Sequence, residues 1–267
     1  MTAKKVKTNG VETAYRFDGP EDGRVVLMSN SLMSNYTMWD WTVPALADKY
    51  RVLRYDTRGH GLSGVTPSPY TLSQLADDAV ALLDALGIKK AHFVGLSMGG
   101  MIGQQLGARY GDRVHSLSLC DTACEMSPRS VWEDRIAMAR EKGIAGMADA
   151  TLQRWFTAPF AQRAPGDIDK VRAMILGTSL EGYIGCGSAI RDMSQSTMLL
   201  KINAPTLVLT GRQDQGTTVE QATVIHRLVH RSRMLIIEDA AHLSNIEQPE
   251  QFNRVVRGFI DEVDKTL

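Results

Sequence analysis

Charge of one sign is missing from this chain: thirty Lys and Arg stand against thirty Asp and Glu, for a formal net charge of zero. With no net field to draw it to nucleic acid or to an anionic membrane surface, the expected partner is a small neutral or singly charged molecule. Cysteine is scarce. Cys120, Cys124 and Cys186 are odd in number and lack metal-ligand spacing to any histidine, which excludes a disulfide framework or zinc site and leaves reduced thiols. No apolar run approaches a membrane span, and the first ten residues, MTAKKVKTNG, carry basic side chains with no apolar core after them. The expectation is a cytoplasmic protein without a membrane segment. Internal repeats and low-complexity tracts are absent too. No stretch matches G-x-x-x-x-G-K-[ST] or G-x-G-x-x-G, so nucleotide binding drops out.

What is present is an ordinary globular balance over 267 residues, 43% hydrophobic and 22% charged. That length suits one α/β domain carrying an inserted subdomain better than two independent domains. The chain is organised around Ala91 to Gln105, AHFVGLSMGGMIGQQ. An apolar run stops at Gly95-Leu96-Ser97-Met98-Gly99, and a helical pattern follows at once. A G-x-S-x-G string in that context makes a sharp strand-to-helix turn that lifts the serine Oγ above the ends of a parallel sheet. Glycines are expected around the serine because backbones approach too closely for a Cβ, and because the turn asks for φ values that glycine adopts cheaply. Ser97 would then sit at a helix N-terminus, where unpaired N–H groups favour developing negative charge.

Around this stretch, strands and helices alternate. Val6 to Phe17, with Asn9-Gly10 between two alternating runs, reads as a hairpin at a sheet edge. Arg24 to Met28 is the continuous apolar run of a strand buried on both faces, followed by the polar loop Ser29 to Asn35. Thr37 to Tyr50 has helical spacing, and Arg51 to Asp56 is a further strand ending in the glycine-dense turn Thr57 to Gly64. His60, between two glycines there, reads as a hydrogen-bonding brace. Thr71 to Leu86 carries apolar residues on one face, with Thr71 as N-cap and Gly87 as terminator. Val114 to Cys120, Ala204 to Gly211 and Arg233 to Glu238 read as strands, with helices at Val219 to Val229 and Pro249 to Val263.

The rhythm breaks between Thr122 and Lys201. Pro128 to Arg140, Ile144 to Phe156 and Asp167 to Leu180 all read as helix with no strand among them, which predicts an insertion over one end of the sheet. The expected division is a core of residues 1–121 and 202–267 with a helical lid at 122–201. The lid should cover the serine, because ligands of open parallel sheets bind beyond the carboxyl ends of the strands.

A serine hydroxyl needs a base within hydrogen-bond reach and a third group to orient that base. His242, just past a strand, is the candidate base; His92, His115, His226 and His230 fall at the wrong end or on a helix. Asp214 follows a strand directly and gives the order nucleophile, acid, histidine; Asp121 and Asp56 are its rivals. The N–H of Met98, next to the nucleophile, and that of Leu32, in the loop after strand Arg24 to Met28, are the expected oxyanion donors.

With these residues in view, the whole chain resembles the α/β-hydrolases, and its local strings are similar to those of the 3-oxoadipate enol-lactonases of aromatic catabolism. The matching stretches are Ser29-Asn30-Ser31-Leu32, Leu53 to Gly61, Gly95 to Gly100, Arg154-Trp155-Phe156 and His242-Leu243-Ser244-Asn245-Ile246-Glu247. The serine turn and the Arg58-Gly59-His60-Gly61 turn select only the superfamily. Ser-Asn-Ser and His-x-Ser-Asn are narrower, since other members usually carry His-Gly at the first of these places. The resemblance implies an α/β-hydrolase fold: a mostly parallel twisted sheet with helices on both faces and an inserted helical lid. It also implies a cofactor-free, metal-free serine hydrolase opening a small lactone or ester, with Trp155 and neighbouring lid residues shaping the pocket.

One departure stands out. Where such lactonases typically have glycine after Ser-Asn-Ser-Leu, this chain has Met33, with Met38 close by. A bulky thioether there would fill or line the acyl pocket. Arg154 and Arg191 are the candidates for holding a substrate carboxylate. A general carboxylesterase that also makes peracids, carbon–carbon bond hydrolysis, and a non-catalytic ligand receptor stay open as alternatives, as does a homo-oligomer.

Overall fold

The computed structural model describes residues 3–267. It begins with the hairpin β1 (Lys4–Thr8) and β2 (Val11–Asp18), turning at Asn9 and Gly10, both at positive φ (41° and 77°). Then follow β3 (Val25–Ser29), β4 (Arg51–Tyr55), α1 (Leu72–Ala85), β5 (Ala91–Leu96), α2 (Met98–Arg109) and β6 (Val114–Cys120). Between β6 and the next strand lie α3 (Arg129–Lys142), α4 (Ala148–Trp155), α5 (Ala158–Arg163), α6 (Pro165–Leu176), α7 (Leu180–Arg191) and α8 (Ser196–Leu199). The chain closes with β7 (Thr206–Gly211), α9 (Val219–Leu228), β8 (Ser232–Ile237), α10 (Ser244–Glu247) and α11 (Pro249–Asp264).

The eight strands form one sheet in the order β1-β2-β4-β3-β5-β6-β7-β8, antiparallel at β1/β2 and β2/β4 and parallel elsewhere. After β3 the chain moves to one side for β4, then crosses to the other side for β5. The loops after β3 and β5 therefore diverge, leaving the crevice in which open α/β sheets bind ligands. Ser29 pairs with Gly95 at that point, so the loop after β3 and the serine turn lie side by side.

Apolar spacing builds the layers on either face. In α11 it puts Phe252, Val256, Phe259, Ile260 and Val263 in the core, each worth about 1.5–3 kcal/mol of transfer free energy. α1 starts at the Thr71 cap, whose side chain accepts from Gln74 N, and ends before Gly87 at φ 68°. No helix among the described residues is long and apolar enough to cross a membrane. All three cysteines are free and buried.

Two segments differ from their sequence pattern. The expected helix over Thr37 to Tyr50 is a pair of single 3-10 turns, Tyr36–Trp39 and Val43–Ala45. Asn35 caps the first through its side chain, and Pro44, with no N–H, cannot continue an α-helical ladder. Conversely, α7 is a helix that its sequence hides, because Gly182, Gly185 and Gly187 lower helix propensity. The glycines serve packing instead. A Cβ on Gly182 would lie 2.1 Å from Gly59 O, and one on Gly185 would lie 2.5 Å from the Tyr70 ring.

Burial also sets a pH limit. His60 and His92 are buried, and desolvation lowers both from 6.5 to about 4. Between these values the two histidines bind protons in the unfolded chain and refuse them in the folded one, so their share of stability is full above about 6.5 and falls as pH drops towards 4, while Asp56, raised to about 6 by burial, acts in the opposite sense. Thermal melts of the parent and of His60→Gln across this range isolate the His60 share: the parent's Tm should fall more steeply with acidification, and parallel curves would contradict the assignment.

Candidate active site

Ser97 sits between β5 and α2 at φ 57°, ψ −115°. The left-handed conformation thus falls on the serine itself, whereas Gly95 and Gly99 are absent from the positive-φ residues. This corrects half of the reason given for the glycines and leaves the other half, close approach. A Cβ on Gly95 would lie 2.2 Å from Gly99 O, and one on Gly99 would lie 2.1 Å from Ser29 O. The strain at Ser97 is held by two bonds: its N–H donates to Cys120 O (2.8 Å) and its carbonyl accepts from Thr122 Oγ1 (2.8 Å). Its own Oγ has no hydrogen-bond partner among the described residues and faces a narrow cavity of about 60 Å³.

His242 lines the same cavity. Its Nδ1 lies 2.8 Å from Asp214 Oδ2, which fixes the Nδ1–H tautomer and turns Nε2 away from the acid. Asp214 also accepts from Gly216 N (2.8 Å), Thr217 N (3.0 Å) and Thr217 Oγ1 (2.7 Å). Burial opposes its charge, but the imidazole and these donors outweigh it and hold the carboxyl below the usual range. For His242 burial opposes protonation, and the Asp214 carboxylate overcomes it, raising the imidazole above 6.5.

The rival acids have other work. Asp121 is fully buried, accepts from Gly211 N (2.8 Å) and Ser244 Oγ (2.5 Å), and is driven well above the carboxylate range by burial and by Asp214. Asp56 braces the Arg58-Gly59-His60-Gly61 turn through Leu62 N and Tyr36 N, both at 2.7 Å. His92 bonds Ser116 Oγ (2.8 Å) and His226 bonds Ser232 Oγ (2.8 Å), both away from the cavity.

In the loop after β3, the N–H groups on either side of Leu32 are engaged. Ser31 N–H donates to Met38 Sδ (3.3 Å) and Met33 N–H to His60 Nε2 (3.1 Å). Leu32 N–H has no partner among the described residues, nor does Met98 N–H at the first position of α2. His60 is the brace expected of it: Nδ1–H meets Arg58 O at 3.2 Å while Nε2 accepts, so the ring is neutral.

Met33 is buried at φ 62°, a left-handed conformation that costs a residue with a Cβ about 1–2 kcal/mol, and its side chain lines the cavity against Thr151. Trp155 also lines it, with its ring stacked on the His242 imidazole at 6.2 Å. Its carbonyl takes the N–H groups of His242 (3.1 Å) and Leu243 (3.2 Å), a second function not visible in sequence. Arg154 lines the cavity, but Arg191 does not: it is paired with Asp192. The residue missed from sequence is Arg135, which lines the cavity from α3 one turn after Trp132. Neither Arg135 nor Arg154 has a carboxylate partner among the described residues, and burial together with Arg135 holds Arg154 below its ordinary value.

The profile of the α/β-hydrolase fold family matches residues 24–249. The chain belongs to the α/β-hydrolase family. It is 36% identical to 3-oxoadipate enol-lactonase 2 of Acinetobacter baylyi, over 96% of this chain and 94% of that one. It is 34% identical to 3-oxoadipate enol-lactonase 1 of the same organism, over 95% of each. Among solved structures, the enol-lactonase from Burkholderia xenovorans LB400 superposes with TM-score 0.95 at 38% identity, covering 97% of this chain and all of that one. The family's fold is the one described above.

Proposed function

We propose that this hydrolase opens a small carboxylate-bearing lactone or ester through a serine acyl-enzyme. One observation carries the reading: an unpartnered Ser97 Oγ and a His242 oriented through Nδ1 by Asp214 face one cavity, beside the free N–H groups of Leu32 and Met98. In apo enzymes such catalytic hydrogen bonds often close only with substrate. Likeness to two enol-lactonases over nearly the whole chain supports the lactone and ester class.

Ser97 Oγ attacks the carbonyl while its proton passes to His242 Nε2, and Leu32 N–H and Met98 N–H hold the resulting oxyanion. The C–O bond breaks, and the leaving alkoxide or enolate takes the proton from His242. Water, deprotonated by His242, then attacks the acyl carbon and frees Ser97 and the acid. In a lactone the leaving oxygen stays tethered, so deacylation must outrun recyclisation. Segment 122–201, acting as a lid, would favour this by admitting one water. It supplies Trp132, Arg135, Thr151, Arg154, Trp155 and Tyr183 to the wall.

Two unpaired cations beside apolar walls suit an anionic substrate tail. Arg135→Gln should raise KM for a carboxylate-bearing lactone by roughly 10- to 100-fold, as expected for a lost charged hydrogen bond, and leave a neutral ester unaffected. Equal effects on both substrates would remove Arg135 from the subsite. Met33→Gly should shift preference towards smaller polar lactones. It relieves about 1–2 kcal/mol of left-handed strain but loses a buried side chain worth about 2–5 kcal/mol, so Tm should fall as the profile shifts. An unchanged profile over a panel of lactones and short esters would remove Met33 from the pocket argument. That panel also tests the reading as a whole: steady multiple turnover is expected, and binding without turnover would make the protein a receptor.

A further inference from the structure

The two narrow strings of the sequence, Ser29-Asn30-Ser31 and His242-x-Ser244-Asn245, are joined through Met38. Its thioether accepts from Ser31 N–H (3.3 Å) and from Ser34 Oγ–H (3.1 Å), a proton the serine shares with Ser31 O (2.8 Å). Its carbonyl accepts from Asn245 Nδ2 (2.8 Å), three residues past His242. Ser31, Ser34, Met38 and Asn245 are all buried at 1% exposure or less, so water cannot replace these bonds. The connection runs from the N–H before Leu32, through one methionine, to the loop that carries the imidazole.

We infer that Met38 and Asn245 are positioning residues, a strut that sets the Leu32 oxyanion donor relative to the His242 base. This rests on the reading of Leu32 and His242 given above. Both groups act on the same carbonyl, the donor on its oxygen and the base on the proton of its attacker. A small relative shift therefore weakens transition-state contacts without altering the walls that bind the ground state. The rest of each loop supports this: Asn30 accepts from Trp39 Nε1 (2.8 Å), next to Met38, and donates to Tyr55 O (2.8 Å). The histidine loop is anchored independently by Glu247, which accepts from Ala241 N (2.9 Å) and Thr157. The strut is thus not needed to hold either loop in place, only to hold them in register.

The test uses Met38→Leu, which keeps the packing and removes the acceptor, and Asn245→Leu, which removes the donor. Each folded variant should lose roughly 10- to 100-fold in kcat with KM unchanged, part of the loss expected for a missing oxyanion donor. The double variant should be no slower than the slower single one, because one link is broken either way. In the unmodified enzyme, the Ser31 amide should exchange slowly with solvent, a measurement that needs no variant. Parental kcat in both folded variants, a loss confined to KM, or rapid Ser31 exchange would overturn the strut. Ser97→Ala in the same assay separates the two readings: if it retains activity, the hydrolytic mechanism itself has failed.

Discussion

Ser97→Ala is expected to lower kcat/KM by roughly 10⁴-fold or more while leaving Tm close to the parent. The separation follows from local structure. Ser97 is held by its backbone, through Cys120 O and Thr122 Oγ1, and its Oγ has no partner among the described residues. Removing the hydroxyl leaves no buried group unpaired, so folding has little to lose. Alanine meets the same strain at φ 57° as serine does, which again leaves stability where it was. What vanishes is the hydroxyl proposed to attack the carbonyl. The measurement is steady-state hydrolysis of an activated ester beside thermal melts of both proteins. Retained turnover would show that another group is the nucleophile.

Asp214→Asn should cost roughly 10⁴-fold in kcat, by tautomer rather than by shape. An amide nitrogen at the Oδ2 position would donate to His242 Nδ1, move the ring proton to Nε2 and leave nothing to accept from Ser97. Asp121 is no substitute, since its two oxygens are committed to Gly211 N and Ser244 Oγ. The pH profile adds a signature. In the proposed mechanism His242 must be neutral to act as base, so activity should fall as pH drops through its pKa, which the Asp214 carboxylate holds above 6.5. With that carboxylate gone, the acid limb of the residual activity should move to lower pH. An unmoved limb would mean that Asp214 does not govern the imidazole.

The strands and the mostly parallel character of the sheet were legible because buried parallel strands are short apolar runs separated by helical spacing; the order of the strands was not. The serine turn was legible because steric crowding leaves few residues possible around Ser97. The pairing of His242 with Asp214, the proposed base and acid, could be anticipated by asking which side chains follow a strand directly, since that is where a parallel sheet presents its loops. Legibility failed where packing overrode local preference. The glycines of α7 answer to Gly59 and Tyr70, and no window of sequence contains those partners. Arg135 was hidden for a similar reason: on a helix it reads as a solvated arginine, and only the fold of 122–201 turns it to the cavity. Met38 and Asn245, more than 200 residues apart, meet through a backbone carbonyl, which no side-chain pattern could announce.

Labelling the unmodified enzyme with a serine-directed aryl phosphonate, followed by peptide mapping, tests whether Ser97 is the nucleophile. One phosphonyl group per chain is expected, on the peptide carrying Ser97, with activity lost in proportion. A label on any other residue, or full inactivation with Ser97 unmodified, would contradict that role.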